Sequence, residues 1–199
     1  MTVNERLVYV ALADALEYPE DEDHGTRLAA AAMRLAEPAP AVASAVARLA
    51  AALDEGGLEH LQELYTQSFD LNPAASLDIG WHLFGESYKR GAFLVGLRQD
   101  LREHELAEGS ELPDHLPCVL RLLAELEDGE HAELLLRSCV APALIAILRT
   151  LRGREDHPYV PILEAASECF GPPIELESTP RLPVLHDREN EPIEEAAHG

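Results

Sequence analysis

The sequence predicts an all-α fold, a single-domain bundle of about seven to eight helices, from three observations. First, 47% of the 199 residues are hydrophobic, which is enough to form a core in a chain of this length. Second, Ala and Leu outnumber the β-branched residues, and that composition favours helix over sheet. Third, apolar residues recur at helical spacing between breaks at Gly and Pro.

Three helices are expected in the first quarter of the chain. Thr2 and Glu5 have the spacing of a capping box, in which the side chain of each residue bonds the backbone of the other. The first helix therefore begins there, and it ends near Pro19. The second and third helices should cover about 22–36 and about 40–54.

A fourth helix places Leu58 and Tyr65 on one face, with Phe69 one turn later. The segment 70–81 then breaks the helical pattern. Pro73 makes a helix there unfavourable, because it lacks a backbone N–H and restricts the residue before it.

Four further helices are expected after residue 81. Their predicted ranges are about 82–106, from 115 onward, about 130–151 and about 158–169. Gly91 and Gly96 interrupt the first of them, which indicates close packing of another segment there. The helix at 130–151 is apolar nearly all round from 138 to 148, so it should lie at the centre of the bundle, with a kink at Pro142.

Residues 171–199 differ in composition from the rest of the chain. They contain five prolines, carry a net charge of −5 from seven acidic residues and two arginines, and show no helical period. This composition is typical of an acidic tail that is extended or disordered. The sequence therefore divides into a helical domain at 1–170 and a tail at 171–199.

The overall charge restricts the class of partner. The formal net charge is −22, from 37 acidic and 15 basic residues, so the surface should repel nucleic acid and anionic lipid and attract a basic peptide. The N-terminus lacks the pattern of a signal peptide, and the uncharged apolar segment 138–148 is far shorter than the about 20 residues of a membrane span. We therefore expect a cytoplasmic protein without a nucleic-acid partner and without direct membrane insertion.

The sequence contains no strong catalytic, metal or phosphate motif. Ser87 lies in GESYK, which lacks the second glycine of the GxSxG motif. His82 and Glu86 are four residues apart on an expected helix and could share a metal, although a solvated polar pair is the simpler interpretation. We expect no catalytic residue, metal or cofactor. Two alternatives stay open: a small helical hydrolase that uses a metal or a His and an Asp, and an acidic interaction module.

The stretch ELPDHLP, Glu111 to Pro117, has two interpretations. Asp114 has the position and chemistry of a helix N-cap, and Pro117 is tolerated in the first turn of the helix that follows. Capping does not explain His115, which should be the first residue of that helix, with an exposed side chain. The alternative is that the stretch contacts a partner.

A second stretch, SLDIGWHLFGESYKRG at 76–91, is rich in aromatic residues. It contains Trp81, Phe84 and Tyr88, in a chain that is only 5% aromatic. These rings are either anchors of the core or the walls of a groove that takes the apolar side chains of a partner.

Three motifs together resemble the NarJ-type chaperones, the delta subunits of respiratory nitrate reductase within the TorD/DmsD/NarJ group. They are ELYTQSFDL at 63–71, HLFGESYKRG at 82–91 and ELPDHLPCVLRLLAEL at 111–126. The resemblance implies an all-helical protein without catalytic activity. It also implies binding, in the cytoplasm, to the apo form of a molybdenum-containing catalytic subunit at its N-terminal signal-like segment. The resemblance further implies that the protein assists insertion of molybdenum cofactor into that subunit before membrane attachment or export. A monomer is expected, with a dimer left open.

The resemblance also suggests which residues bind the client. Asp114 and His115 match a proline–aspartate–histidine motif that is implicated in peptide binding, and Tyr65 and Phe69 match a tyrosine-x-x-x-aromatic signature. Gly85, Glu86, Arg90 and Gly91 match a glycine–glutamate…arginine–glycine segment. The expected client-binding residues are Tyr65, Phe69, Trp81, Phe84, Glu86, Tyr88, Arg90, Glu111, Asp114 and His115.

Overall fold

A computed structural model confirms the all-α class. It describes residues 2–107, 109–127, 129–154 and 157–174, and these residues form nine helices. The helices are α1 Val3–Leu16, α2 Asp23–Leu35, α3 Pro40–Gly56, α4 Leu58–Tyr65, α5 Ile79–Phe84, α6 Tyr88–Glu103, α7 Leu116–Glu125, α8 Gly129–Leu151 and α9 Val160–Phe170. The proposed acidic tail lies outside the described residues from 175 onward.

The capping box at the start of α1 is confirmed. The Thr2 hydroxyl accepts a hydrogen bond from the backbone N–H of Glu5 at 3.2 Å, and the Glu5 carboxylate accepts one from the backbone N–H of Thr2 at 2.6 Å. Two of the N–H groups that a helix start leaves unpaired are thereby satisfied.

The core lies where the apolar faces of the helices meet. α1 packs mainly against α7, and α2 against α3, while α9 contacts both α3 and α8. Leu12 and Leu16 of α1 are fully buried, as are Leu116 and Leu120 of α7. α7 therefore starts inside the core, and this fixes the position of the residues that immediately precede it.

α8 has the properties of a central core helix. Its stretch Leu136–Val140 is wound as a π-helix just before Pro142, while the kink expected at this proline stays a prediction. Among the described residues, α8 is the one helix long and apolar enough to cross a membrane, but half of its apolar window is buried within the protein. Soluble core helices pass the same test.

The single helix expected at 82–106 is wrong. α5 ends at Phe84, and α6 begins at Tyr88. Gly85 separates them with φ of +57°, a left-handed conformation that ends a helix and favours glycine. The expectation that another segment packs closely against Gly91 is also wrong, because a Cβ placed on Gly91 would have no heavy atom within 4 Å.

The break at Gly85 also separates His82 from Glu86, which no longer share a helix face. The His82 ring is instead hydrogen-bonded, through Nε2, to the backbone carbonyl of Ser76 at 2.7 Å. Within the described ranges, no group of three or more His, Cys, Asp or Glu side chains is arranged to hold a metal ion.

The residues just after α9 are held against α8. The Arg137 guanidinium donates from Nε to the carbonyl of Pro172 at 2.6 Å, and the N–H of Ile174 donates to the carbonyl of Arg137 at 3.1 Å. These two hydrogen bonds hold Pro172 and Ile174 against Arg137 of α8.

We predict that two truncations will differ in stability. A chain that ends at Ile174 should melt at the temperature of the full chain, because the composition of 175–199 offers little apolar surface to bury. A chain that ends at Phe170 should melt a few degrees lower, because it loses both hydrogen bonds to Arg137, each contributing about 1 kcal/mol. Thermal melts followed by circular dichroism test this. A lower melting temperature for the chain ending at Ile174 would show that the tail is docked.

Candidate functional site

The two stretches singled out in the sequence are joined by their backbones. Asp78 and His115 form an isolated antiparallel bridge. The N–H of Ile79 donates to the carbonyl of Asp114 at 2.8 Å, and the N–H of Leu116 donates to the carbonyl of Leu77 at 2.8 Å. The segment before α7 is therefore fixed against the segment before α5.

The expected role of Asp114 as an N-cap is wrong. The N-cap of α7 is His115, without a capping side-chain hydrogen bond. The carbonyl of Leu77 takes the place of a capping side chain, because it accepts the first free N–H of the helix, that of Leu116. The Asp114 carboxylate is thereby available for another partner.

That partner is Arg90. The guanidinium donates from Nε to Oδ2 of Asp114 at 2.9 Å and from Nη2 to Oδ1 at 3.3 Å, and Nη2 also donates to Oδ2 of Asp78 at 3.0 Å. Asp114 is fully buried, and this burial raises the pKa of its carboxyl, while the hydrogen bonds and charge of Arg90 oppose the rise. Arg90 therefore compensates a buried charge and connects α6 to both paired segments.

Gly80 makes room for this ion pair. A Cβ at residue 80 would lie 2.5 Å from Oδ2 of Asp114 and 3.0 Å from Cδ1 of Phe93. Only a residue without a side chain fits between the backbone of α5 and the buried carboxylate. No short-range signal in the sequence identifies this position.

The expectation that His115 is exposed is also wrong. Its side chain is only 9% exposed, because the residue sits in the bridge before the helix and not on an outer turn of it. Burial lowers the pKa of the imidazole from its ordinary value of 6.5 to about 4, so the ring is neutral at pH 7. The ring makes no hydrogen bond with any described residue and borders an open cleft.

We name this feature the acidic cleft. It has a volume of about 350 Å³. Its lining residues are Phe69, Asp70, Pro73, Ser76, Leu77, Asp78, Trp81, Arg90, Glu111 and His115. Five of the ten expected client-binding residues are among them, namely Phe69, Trp81, Arg90, Glu111 and His115. The structure brings these five together from four separate parts of the chain.

The other five expected residues lie elsewhere. Asp114 is buried behind Arg90, and Tyr65 is a core residue whose hydroxyl donates to the carbonyl of Leu16 at 3.1 Å. The ring of Phe84, in α5, packs against the ring of Phe93, in α6. Glu86 and Tyr88 are exposed and do not border the cleft.

Three carboxylates give the acidic cleft its charge. Burial raises the pKa of Glu111, and the neighbouring carboxylates of Asp78 and Asp70 raise it further. The carboxylates of Asp70, Asp78 and Glu111 therefore lie close enough for the charges of the first two to affect the third. Asp70 and Asp78 were not among the expected site residues, because an acidic residue in a proline-containing loop carries no distinctive pattern.

We predict that His115→Gln will make the free energy of unfolding fall less as the pH is lowered. Because the pKa of His115 is lower in the folded state, the unfolded chain binds more protons between about pH 6.5 and 4. His115 therefore lowers stability as the pH falls through that window, by up to about 3 kcal/mol, and glutamine removes this contribution. Urea unfolding of both proteins at pH 7, 5.5 and 4.5 measures it. Parallel pH profiles would contradict the burial of a neutral imidazole.

Comparisons with known proteins agree with the resemblance seen in the sequence. A family model described as the nitrate reductase delta subunit matches residues 35–163, a range that contains the acidic cleft. Two relatives are 40% identical to the chain over 96 residues: the nitrate reductase molybdenum cofactor assembly chaperone NarJ of Escherichia coli strain K12 and that of Escherichia coli O157:H7. The aligned stretch covers 48% of this chain and 40% of each relative.

Proposed function

Because the chain belongs to the nitrate reductase delta subunit family, we propose that it is an assembly chaperone for a molybdenum-containing catalytic subunit. The client is the apo form of a nitrate reductase catalytic subunit or of a related enzyme. The chain binds it in the cytoplasm at its N-terminal segment and assists insertion of the molybdenum cofactor. It performs no catalysis of its own.

The acidic cleft is the observation that best supports this function. It is open and contains both charged and aromatic walls, including Trp81 and Phe69. Two exposed leucines, Leu71 and Leu112, directly follow lining residues in the sequence. An N-terminal segment with basic and apolar residues fits such a surface, because the carboxylates complement its charge and the aromatic and leucine side chains its apolar part.

The alternative of a hydrolase is less well supported by the geometry. A His–Asp pair in general base catalysis requires the carboxylate to orient the imidazole. The Asp114 carboxylate instead accepts hydrogen bonds from Nε and Nη2 of Arg90. Among the described residues, it does not bond the His115 ring. His115 and Asp114 are adjacent in sequence, but the carboxylate bonds Arg90 and not the imidazole.

Co-expression tests the function. A nitrate reductase catalytic subunit would be produced with the chain and without it, and its molybdenum content would be measured by elemental analysis. We expect the chain to co-purify with the apo subunit and to raise the fraction that contains molybdenum. Equal molybdenum content in both preparations, without co-purification, would contradict the proposal.

A further inference from the structure

We infer that the groove between α8 and α9 is a surface through which two copies of this chain pair about a two-fold axis. The groove has a volume of about 370 Å³, and its lining includes Ile145, Leu148, Arg149, Arg152, Val160 and Glu164. None of its lining residues borders the acidic cleft. The inference goes beyond the proposed function, because the partner is a second copy and not the client. It favours the dimer that the sequence leaves open over the expected monomer.

The wall that α8 contributes is apolar and basic. Four side chains recur there at helical spacing and share one face, namely Ile145, Leu148, Arg149 and Arg152. Ile145 and Leu148 are only partly buried, and the two arginines are exposed. This face therefore presents uncovered apolar surface beside two positive charges.

The wall that α9 contributes is acidic. Glu164 borders the groove, Glu168 lies one turn further along the same face of the helix, and both are exposed. The helix dipole accounts for Arg149, because a cation in the last turn of α8 faces the negative end of the dipole. It does not account for Glu168, which is a carboxylate in the last turn of α9. The charge of this face therefore does not serve the stability of α9 itself.

The two signs of charge do not neutralise each other within the chain. Although α8 and α9 pack together, four side chains have no hydrogen bond and no ion pair among the described residues, namely Arg149, Arg152, Glu164 and Glu168. The groove therefore holds two positive charges on one wall and negative charge on the other, with apolar surface between them.

Two-fold symmetry makes this arrangement complementary to itself. When two copies are related by a two-fold axis, each contact between a residue of one copy and a different residue of the other occurs twice. The basic face of α8 in one protomer then meets the acidic face of α9 in its partner, and the reverse contact follows. Ile145 and Leu148 of both protomers lie between these contacts and are removed from water.

A second copy fits the groove better than a small anion does. An anion would pair with Arg149 and Arg152, but Glu164 on the facing wall would repel it. A second copy carries both signs of charge, each on the helix that the opposite wall requires. The contact is small and the net charge of −22 repels a second copy at long range, so the dimer should be weak.

Sedimentation equilibrium of the full chain in 150 mM NaCl tests the inference. We expect a dimer to form between about 0.1 and 1 mM chain, as for a small and transient interface. Two double variants each reverse one wall: the acidic variant is Arg149→Glu, Arg152→Glu, and the basic variant is Glu164→Arg, Glu168→Arg. Each should dimerise at least about tenfold more weakly, because like charges then face each other in both contacts. All four positions are exposed, so the fold should not change.

An equimolar mixture of the acidic and the basic variant gives the sharpest result. In a mixed dimer, the glutamates on α8 of the acidic variant face the arginines on α9 of the basic variant. The arginines on α8 of the basic variant likewise face the glutamates on α9 of the acidic variant. Both contacts again join opposite charges, so we expect the mixture to dimerise about as strongly as the unaltered chain.

Net charge provides the control. The acidic variant is four charges more negative than the chain, and the basic variant is four charges less negative. If long-range repulsion alone governed pairing, the basic variant would dimerise more strongly than the unaltered chain. That result would overturn the inference, and so would the absence of a dimer at 1 mM or a mixture no stronger than its components. The proposed function is tested separately, because none of the four charged residues borders the acidic cleft.

Discussion

Arg90→Met is expected to destabilise the protein by about 3–5 kcal/mol at pH 7, one of the two largest effects that the structure predicts. The substitution keeps most of the volume of the side chain but removes the cation that bonds Asp114. The carboxylate of Asp114 is fully buried and accepts hydrogen bonds of 2.9 and 3.3 Å from Arg90. A buried carboxylate without a partner must either remain charged in a medium of low polarity or take up a proton at a pH where it is normally ionised. Unfolding in urea gives the free energy.

Two controls connect the loss to the buried charge. The double variant Arg90→Met, Asp114→Leu removes both charges and should recover most of the lost stability. The effect of Arg90→Met alone should also diminish toward pH 4, because without Arg90 the pKa of Asp114 is raised by burial and the folded state binds the extra proton. A loss below about 1 kcal/mol, independent of pH, would mean that the pair behaves as a surface salt bridge.

Gly80→Ala is the second substitution with a large expected effect, a loss of about 2–4 kcal/mol. The added Cβ would lie 2.5 Å from Oδ2 of Asp114, so either the carboxylate or the backbone of α5 must move. Neither moves freely, because the Asp114 carboxylate is bonded to Arg90, and the carbonyl of Asp114 accepts the N–H of Ile79. The substitution therefore also separates the two segments that border the acidic cleft.

Gly91→Ala is the matched control, because both glycines lie in helices and near Arg90. A Cβ at residue 91 would have no heavy atom within 4 Å, and its backbone is helical. Alanine there should therefore raise stability by about 0.5–1 kcal/mol, through the lower entropy of the unfolded chain. Thermal and urea unfolding of the two variants gives opposite signs if the close approach at Gly80 is real. Equal, small effects would contradict it.

The sequence predicts most helices because their signals are local. The capping box at Thr2 and the apolar helix at about 130–151 depend on residues within a few positions of one another, and both are confirmed. The break at Gly85 is missed because the apolar spacing continues across it. In a sequence, a glycine inside a helix also looks the same as a glycine that ends one. The helix boundaries at this point are decided by backbone conformation, which the periodicity of side chains does not report.

The site is only partly predictable, because its contacts join residues that are far apart in the sequence. Asp114 precedes a helix and matches the pattern of a cap, but its partner, Arg90, is 24 residues away and its capping role is taken by the carbonyl of Leu77. The roles of Gly80 and Asp78 depend on the same distant pairing. Motifs therefore locate the region of the cleft, while the contacts that give each residue its role follow only from the three-dimensional structure.

Site-specific photo-cross-linking is the most direct test that the client binds at the acidic cleft. Leu112 follows the lining residue Glu111 and is 42% exposed, whereas Met33 is 80% exposed on α2, where it borders no part of the cleft. Each would be replaced in turn by p-benzoyl-phenylalanine in the full chain, co-expressed with the apo catalytic subunit and irradiated. We predict cross-links from position 112 to the N-terminal segment of the subunit and none above background from position 33. Cross-links from position 33, or equal yields from both, would show that the client binds elsewhere.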